Sequence, residues 1–170
     1  MCIRDRFSLG QAHVAEDELD VWDRSPDAPD FDSGLLALQL AVAIRDTQPD
    51  TFLAAHLALF DHRHEHAGSL RGRDVLSKVV VDAGVDAEAA WAEVDSGRPL
   101  ATVRDEHTAF VASHNVWGVP TFIVGDAAVF VRLMQRADGD VDLATRTIGR
   151  VLDNIEWSNL NEFKHTTIPS

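Results

Sequence analysis

The amino-acid sequence predicts an α/β fold in which most of the chain is helical and the strands form a short hairpin. Two apolar, β-branched runs, Thr121 to Val124 and Ala128 to Val131, flank Gly125-Asp126, a pattern typical of antiparallel strands joined by a tight turn. Apolar residues recur at helical spacing in five segments between residues 35 and 114, and in a sixth segment after the hairpin.

The predicted helices begin and end at residues suited to those positions. The run from Leu35 to Ile44 is apolar nearly all round and too short to span a membrane, so it should be a buried helix. Pro49 belongs in the first turn of the next helix, while Gly84 and Gly97 end the third and the fourth. Five residues of the second helix are expected on one face: Phe52, Leu53, His56, Leu57 and Phe60. Buried residues expected in later helices are Val75, Leu76, Val79 and Val80, then Ala90, Trp91 and Val94, then Leu143, Ile148, Val151 and Ile155.

Composition limits the classes of partner. A chain of 170 residues with 45% hydrophobic and 25% charged residues is sufficient for one globular domain, with or without an insertion. The formal net charge of −13 argues against a nucleic-acid partner, because phosphates would be repelled. No apolar run approaches the ~18 residues of a membrane span, so we expect no membrane partner. The single cysteine, Cys2, fits a reducing compartment, and we expect a cytoplasmic protein.

Val119-Pro120 stands directly before the first predicted strand. Proline cannot donate a hydrogen bond to a sheet, so it belongs at the start of a strand or on an edge, and it favours extended geometry at Val119. The segment G-V-P-T-F at residues 118–122, with the strand, turn and strand that follow it, resembles the equivalent segment of DsbA-like proteins of the thioredoxin fold. The wider string H-N-V-W-G-V-P-T-F-I-V-G-D-A-A-V-F-V-R-L-M and the tail N-L-N-E-F-K-H-T-T-I-P resemble the FrnE-like dithiol oxidoreductases, over about residues 7 to 170.

The resemblance implies a thioredoxin-like fold with an inserted all-helical subdomain. It also implies a cis proline that faces a redox-active C-x-x-C pair and exposes the backbone before it to an extended substrate. The substrate-binding residues are then expected to be Val119, Pro120 and Thr121, with Trp117 lining the wall of the site. The implied partner is a thiol or disulfide, either a protein or a low-molecular-weight thiol, and no metal or other cofactor is expected.

One family feature is missing from the sequence. Members carry C-x-x-C at the start of the first helix, whereas this chain contains Cys2 alone, and dithiol exchange needs a second thiol to resolve the mixed disulfide. We therefore expect no catalytic residue here and no activity in that chemistry. The string M-C-I-R-D-R resembles read-through of sequencing-adapter DNA, which predicts a parent chain truncated before Phe7, without its first strand, first helix and most of its second strand.

The expected organisation follows from the resemblance and the truncation. It comprises a sequencing scar at residues 1–6, the end of the second strand and an acidic loop at 7–32, the inserted helices at 33–115, the hairpin and last helix at 116–155, and an arm at 156–170. Loss of two strands would leave an unpaired edge and an uncovered apolar face, which favours association between chains. We accordingly expect a poorly soluble protein or a homodimer.

Alternative functions remain open on the sequence alone. Kappa glutathione transferases and 2-hydroxychromene-2-carboxylate isomerases share this fold and use a low-molecular-weight thiol, with serine at the first active-site position. A non-enzymatic binding module would use the histidine-rich tract of His62, His64 and His66, since imidazole is a common metal ligand, although such tracts are usually solvated. His107 and His114 lie on the apolar stripe before Gly118, where they would act as proton carriers or, more often, as hydrogen-bonded core residues.

Overall fold

The computed structural model describes residues 8–24 and 33–160, which form helices and one two-stranded sheet. These residues fall into two compact units, 8–109 and 110–160, and the boundary lies within α6. The first unit contains α1 (Leu9–Ala12), a 3-10 turn (Val21–Asp23), α2 (Ser33–Thr47), α3 (Pro49–His64), α4 (Arg73–Val81), α5 (Ala87–Asp95) and most of α6 (Arg98–His114). The second contains β1 (Thr121–Val124), β2 (Ala127–Phe130) and α7 (Val141–Glu156).

The core of the helical unit is built on α2, as its apolar sequence predicts. Leu40 and Ile44 are fully buried and pack with α3, α4 and α5. The predicted buried residues Leu76 and Val80 are fully inaccessible, and Ala90, Trp91 and Val94 are buried too. Val75 and Val79 are only half-buried, since they lie on the flanks of the α4 stripe. The predicted buried α2 helix is confirmed, and it extends to Thr47.

Polar contacts fix the beginning of two helices in the helical unit. Asp86 caps α5, where its side chain accepts a hydrogen bond from the Ala89 N–H at 3.1 Å. Gln48 precedes Pro49 at the start of α3, and its side-chain amide exchanges two hydrogen bonds with the backbone of Asp86, at 2.8 and 2.9 Å. The start of α3 is thereby tied to the start of α5.

An ion-pair network lies on the surface of the same unit. The Arg98 guanidinium donates to the carboxylates of Asp46, at 2.6 Å, and Glu93. Hydrogen bonds from Arg45 and Arg98 hold the pKa of Asp46 below its usual value. The network connects the end of α2 to the end of α5 and the start of α6.

The second unit is a hairpin that packs against α7. β1 and β2 are antiparallel, with Thr121 opposite Phe130 and Val124 opposite Ala127. Gly125 and Asp126 form the turn, and Gly125 has φ of +58°, a left-handed value that glycine adopts without strain. The Asp140 side chain caps α7 by accepting from the Leu143 N–H at 2.8 Å. None of the described helices is long and apolar enough to cross a membrane.

Several details differ from the expectations. The second strand is one residue earlier than predicted, because the two-residue turn pairs Ala127 with Val124. Residues 9–12 form a helical turn where we expected the end of a strand, and Ser8 caps that turn by accepting from the Gln11 N–H at 3.1 Å. Leu143 is exposed, whereas Ile155 is buried as predicted. Cys2, the acidic segment 25–32 and the tail after Leu160 lie outside the described residues.

Candidate functional site

The candidate site begins where the chain leaves α6. Asn115 has φ of +50°, a left-handed conformation that asparagine tolerates better than most residues. Its N–H donates to the carbonyl of Val111 at 3.0 Å, which completes the last helical turn. Val116 is then buried, and the chain turns toward β1. This helix end sets the direction of the segment that carries Trp117 to Thr121.

Val119 and Pro120 lie at the entrance to β1 with both side chains exposed. The peptide bond between them is cis. The Pro120 carbonyl accepts a hydrogen bond from the Val131 N–H at 3.0 Å, so the pairing of the hairpin extends one residue beyond the strands. Because backbone groups alternate along an antiparallel pair, the N–H and C=O groups of Thr121 and Ile123 turn away from β2. The outer edge of β1 is therefore directed away from the hairpin, and it starts beside the exposed Val119.

Thr121 stabilises the turn before the strand. Its hydroxyl donates to the carbonyl of Gly118 at 2.6 Å. The Thr121 side chain is half-buried, so this bond spares the Gly118 carbonyl part of the cost of leaving water. The sequence predicted Thr121 as a substrate-binding residue; in the structure its hydroxyl is engaged within the chain, and its backbone N–H is the group directed to the outer edge.

Trp117 and Phe130 form an aromatic platform beside Val119-Pro120. Their ring centroids are 4.5 Å apart with a tilt of 39°, and Trp117 remains 61% exposed. The Arg132 guanidinium lies over the Phe130 ring, 5.9 Å from its centroid, which is within the range of a cation–π contact. Trp117 therefore presents a large apolar surface to solvent at the position predicted for a wall of the site.

Gly118 faces the Phe130 ring of the aromatic platform, where there is little room for a side chain. A Cβ atom built on Gly118 would lie 3.1 Å from the Phe130 ring, which is closer than ordinary van der Waals contact. Gly118 is itself buried between Trp117 and Val119. A side chain at position 118 would therefore require the Phe130 ring, which contacts Trp117, to shift by a few tenths of an ångström.

Phe130, Arg132 and Gly118 were not predicted as site residues. Phe130 reaches the site because it lies opposite Thr121 in the hairpin register. That register could have been extracted from the sequence, since a two-residue turn at Gly125-Asp126 fixes which residues face one another. The contact between the Trp117 and Phe130 rings depends on side-chain geometry and has no signal in the sequence.

The histidines considered as proton carriers have different environments. His107 is buried in the helical unit, where its ring meets Trp22 edge to face with centroids 5.5 Å apart. Burial lowers the pKa of His107, and the negative charge of Asp20 opposes that shift. His114, at the end of α6, lies beside the Ser113 hydroxyl, 2.7 Å from Nδ1. The burial of His107 is that of a core histidine, as the sequence favoured, and the hydrogen bond expected for it stays a prediction.

Stability should depend on pH through His107. Its folded-state pKa is below the usual 6.5, so the unfolded chain binds the proton more tightly. The free energy of unfolding is therefore expected to fall as the pH drops below about 6.5, and this loss should shrink in His107→Phe. Urea unfolding between pH 5 and 8 measures the slope. His64→Phe is the control for the loss of an imidazole at an exposed position. An unchanged slope in His107→Phe would contradict the prediction.

The histidine-rich tract is engaged in local hydrogen bonds. Nε2 of His62 lies 3.1 Å from the carbonyl of Ser69, and Nδ1 of His66 lies 3.2 Å from the carboxylate of Asp61. His64 extends from α3 with its ring beside Phe60. Over residues 8–24 and 33–160, no three or more His, Cys, Asp and Glu side chains are grouped so that they could hold a metal ion.

Comparison with known proteins identifies the domain. A family model described as a DSBA-like thioredoxin domain matches residues 30–139, which is more than half of the chain and includes the whole hairpin with Val119 and Pro120. No curated protein matches the chain. The resemblance inferred from residues 118–122 is therefore confirmed at the level of this family.

Proposed function

We propose that this chain, which belongs to the family of DSBA-like thioredoxin domains, provides the substrate-positioning part of a thiol-disulfide oxidoreductase of the FrnE-like kind. The observation that carries the proposal is the exposed Val119-Pro120 segment, placed between the outer edge of β1 and the Trp117 platform. An extended peptide beside Val119 would pair with the backbone of the outer edge and place an apolar side chain on Trp117. A thiol or disulfide substrate is the partner that we propose.

The exchange reaction itself needs two sulfur atoms besides those of the substrate. A thiolate attacks the substrate disulfide, one substrate sulfur leaves as a thiolate, and a second thiol then attacks the mixed disulfide and releases the other substrate sulfur. The sequence contains Cys2 alone, so these 170 residues lack the second thiol. We propose that this chain, with the single thiol of Cys2, binds substrate without turnover.

Binding can be tested without any exchange chemistry. The probe is a short extended peptide that carries S-methylcysteine between apolar residues, titrated into the isotope-labelled chain. We expect chemical-shift changes at the backbone amides of Val119 and Thr121 and at the Trp117 indole. Changes confined to the helical unit would contradict the proposal. Stronger shifts at the same residues with S-methylglutathione than with the peptide would support the transferase and isomerase relatives instead.

Trp117→Ala should weaken peptide binding by roughly tenfold, because an exposed aromatic anchor typically contributes 1–2 kcal/mol. Trp157→Ala is the matched control: Trp157 is also exposed, and it follows α7 in the same unit. We expect this control to bind as the parent does, in a titration followed by isothermal calorimetry. An equal loss in both variants would show that Trp117 has no special part in recognition.

A further inference from the structure

Arg132 lies next to the candidate site, and nothing in the proposed function uses its charge. It follows the end of β2 by two residues, and its side chain is exposed. Its guanidinium lies over the Phe130 ring, 5.9 Å from the centroid. The same ring contacts Trp117 and lies close to Gly118, the residue before Val119. A positive charge is thus placed beside the aromatic platform that borders Val119.

The register of the hairpin brings Arg132 across from Val119. The hydrogen bond from the Val131 N–H to the Pro120 carbonyl continues the pairing one residue beyond the strands. One further step in the same register sets Arg132 opposite Val119. Because residues that face one another in an antiparallel pair carry their side chains on the same face, Arg132 shares a face of the hairpin with Val119 and Phe130.

A substrate on the outer edge of β1 is within reach of Arg132. Neighbouring strands are about 4.8 Å apart, so a peptide paired with β1 would lie roughly 10 Å from β2. Arginine and glutamate are long side chains, and together they can span that gap. The guanidinium can therefore meet a side chain of the bound peptide.

Arg132 has no carboxylate partner in the part of the chain that the structure describes. In the helical unit, by contrast, Arg73 and Arg98 each donate to carboxylates. The acidic residues nearest to Arg132 in sequence are Asp126 and Asp138, six positions away on either side, and neither forms an ion pair with it. The N–H groups of Arg132 are therefore available to a ligand.

The chemistry of Arg132 suits a carboxylate. A guanidinium is planar and always charged, and its donors match both oxygens of a carboxylate. Contact with the Phe130 ring restricts the side chain while the edge of the guanidinium stays free to donate, so less conformational freedom is lost on binding. The whole chain carries a formal charge of −13, so an anionic ligand needs a local cation to be held.

We propose that Arg132 gives the site a preference for substrates that carry a carboxylate close to the reacting sulfur. This inference rests on the proposed function, because it requires a substrate beside Val119. The carboxylate is either that of an Asp or Glu side chain in an extended peptide or that of a low-molecular-weight thiol. A lysine at the same place in the substrate is disfavoured, since like charges then meet.

Peptides that differ at one residue measure the preference. Each carries S-methylcysteine, and the varied residue, taken in turn over the two positions on each side of it, is Glu, Gln or Lys. In calorimetric titrations of the full chain at low salt, we expect Glu at one or more positions to bind about threefold to fivefold more tightly than Gln, as is typical of an exposed ion pair. Lys should bind more weakly than Gln. The preference should shrink at about 0.5 M salt, where exposed charges are screened.

Substitutions of Arg132 test whether its charge is the cause. The preference should be lost in Arg132→Gln, partly retained in Arg132→Lys, and reversed in Arg132→Glu, which should favour the Lys peptide. The readout is the ratio of the Glu and Gln affinities, because lost packing on Phe130 would weaken both peptides alike. Arg146→Gln is the matched control: Arg146 is exposed on α7 in the same unit, and its loss changes the net charge equally. The ratio should be unchanged in this control.

A second set of titrations distinguishes the two sources of the carboxylate. S-methylglutathione is compared with its dimethyl ester, which lacks free carboxylates. Weaker binding of the ester by the parent, but not by Arg132→Gln, would support a low-molecular-weight thiol as the source. A preference seen with the peptides alone would support a protein substrate.

The failure of this inference can be separated from the failure of the proposed function. Equal affinities for the Glu, Gln and Lys peptides, and for S-methylglutathione and its ester, would overturn the role of Arg132. Amide shifts at Val119 and Thr121 in those same titrations would leave the proposed function standing. A preference that persists in Arg132→Gln, or that is lost equally in Arg146→Gln, would also overturn the inference. If no probe shifts Val119 or Thr121, both proposals are wrong.

Discussion

Replacing Leu40 by alanine is expected to lower the free energy of unfolding by about 2–5 kcal/mol. Leu40 is fully buried on α2 and belongs to the core cluster with Ile44 and Leu76, which are also fully buried. The truncation removes apolar contacts and leaves a cavity that the surrounding helices fill only in part. Chemical denaturation followed by helical circular dichroism at 222 nm measures the effect.

The matched control for this substitution is Leu19→Ala. Leu19 is 68% exposed, so the same chemical change should alter the free energy of unfolding by less than about 0.5 kcal/mol. A loss in Leu40→Ala as small as that of the control would mean that α2 is not the centre of the helical core. The comparison thus tests the placement of the core and not the general sensitivity of the chain to substitution.

Gly118→Ala should destabilise the hairpin unit by about 1–3 kcal/mol. The new methyl group would meet the Phe130 ring at 3.1 Å, so the ring, which contacts Trp117, has to shift by a few tenths of an ångström. We expect a changed near-ultraviolet dichroism signal from the aromatic platform and weaker binding of the S-methylcysteine peptide. Amide hydrogen exchange in β1 and β2 reports the loss of stability in the hairpin itself.

Gly149→Ala, the same substitution at another site, should raise the stability of the hairpin unit instead of lowering it. Gly149 lies within α7, and a Cβ atom added there meets no other atom within 4 Å. Alanine should therefore stabilise the helix by about 1 kcal/mol, since glycine is the poorer helix former. If Gly118→Ala were as harmless as Gly149→Ala, the Trp117 and Phe130 platform would not depend on the absence of a side chain at position 118.

Much of the helical unit could be predicted because α2 to α6 carry local signals, whereas α1 was expected to be the end of a strand. Asp86 and Pro49 begin helices as expected, and Gly97 follows one as expected. The face that α3 buries could not be predicted in the same way. Leu53 and Leu57 are as apolar as Leu59, so periodicity does not distinguish the stripe that packs from the one that remains exposed.

The candidate site was predicted from a resemblance at Val119, Pro120, Thr121 and Trp117, and the structure places these four residues side by side because they are consecutive or nearly so. Whether they bind substrate remains a prediction. Phe130 and Arg132 join them through the hairpin register, and Gly118 matters because of a distance between non-adjacent residues. The four predicted residues therefore had a signal in the sequence, whereas the ring contacts around them did not.

The sequence by itself determined the positions of α2 to α7 to within a few residues, the hairpin at residues 121–130 to within one residue, and the family to which residues 30–139 belong. These features depend on residues near one another in the chain, such as caps, turns and strand periodicity. Only the tertiary structure decided that Trp117 rests on Phe130, that His107 is buried against Trp22, and that Leu53 and Leu57 of α3 face solvent. Burial depends on which surfaces meet in space, and side chains of the same apolarity are placed inside or outside by packing alone.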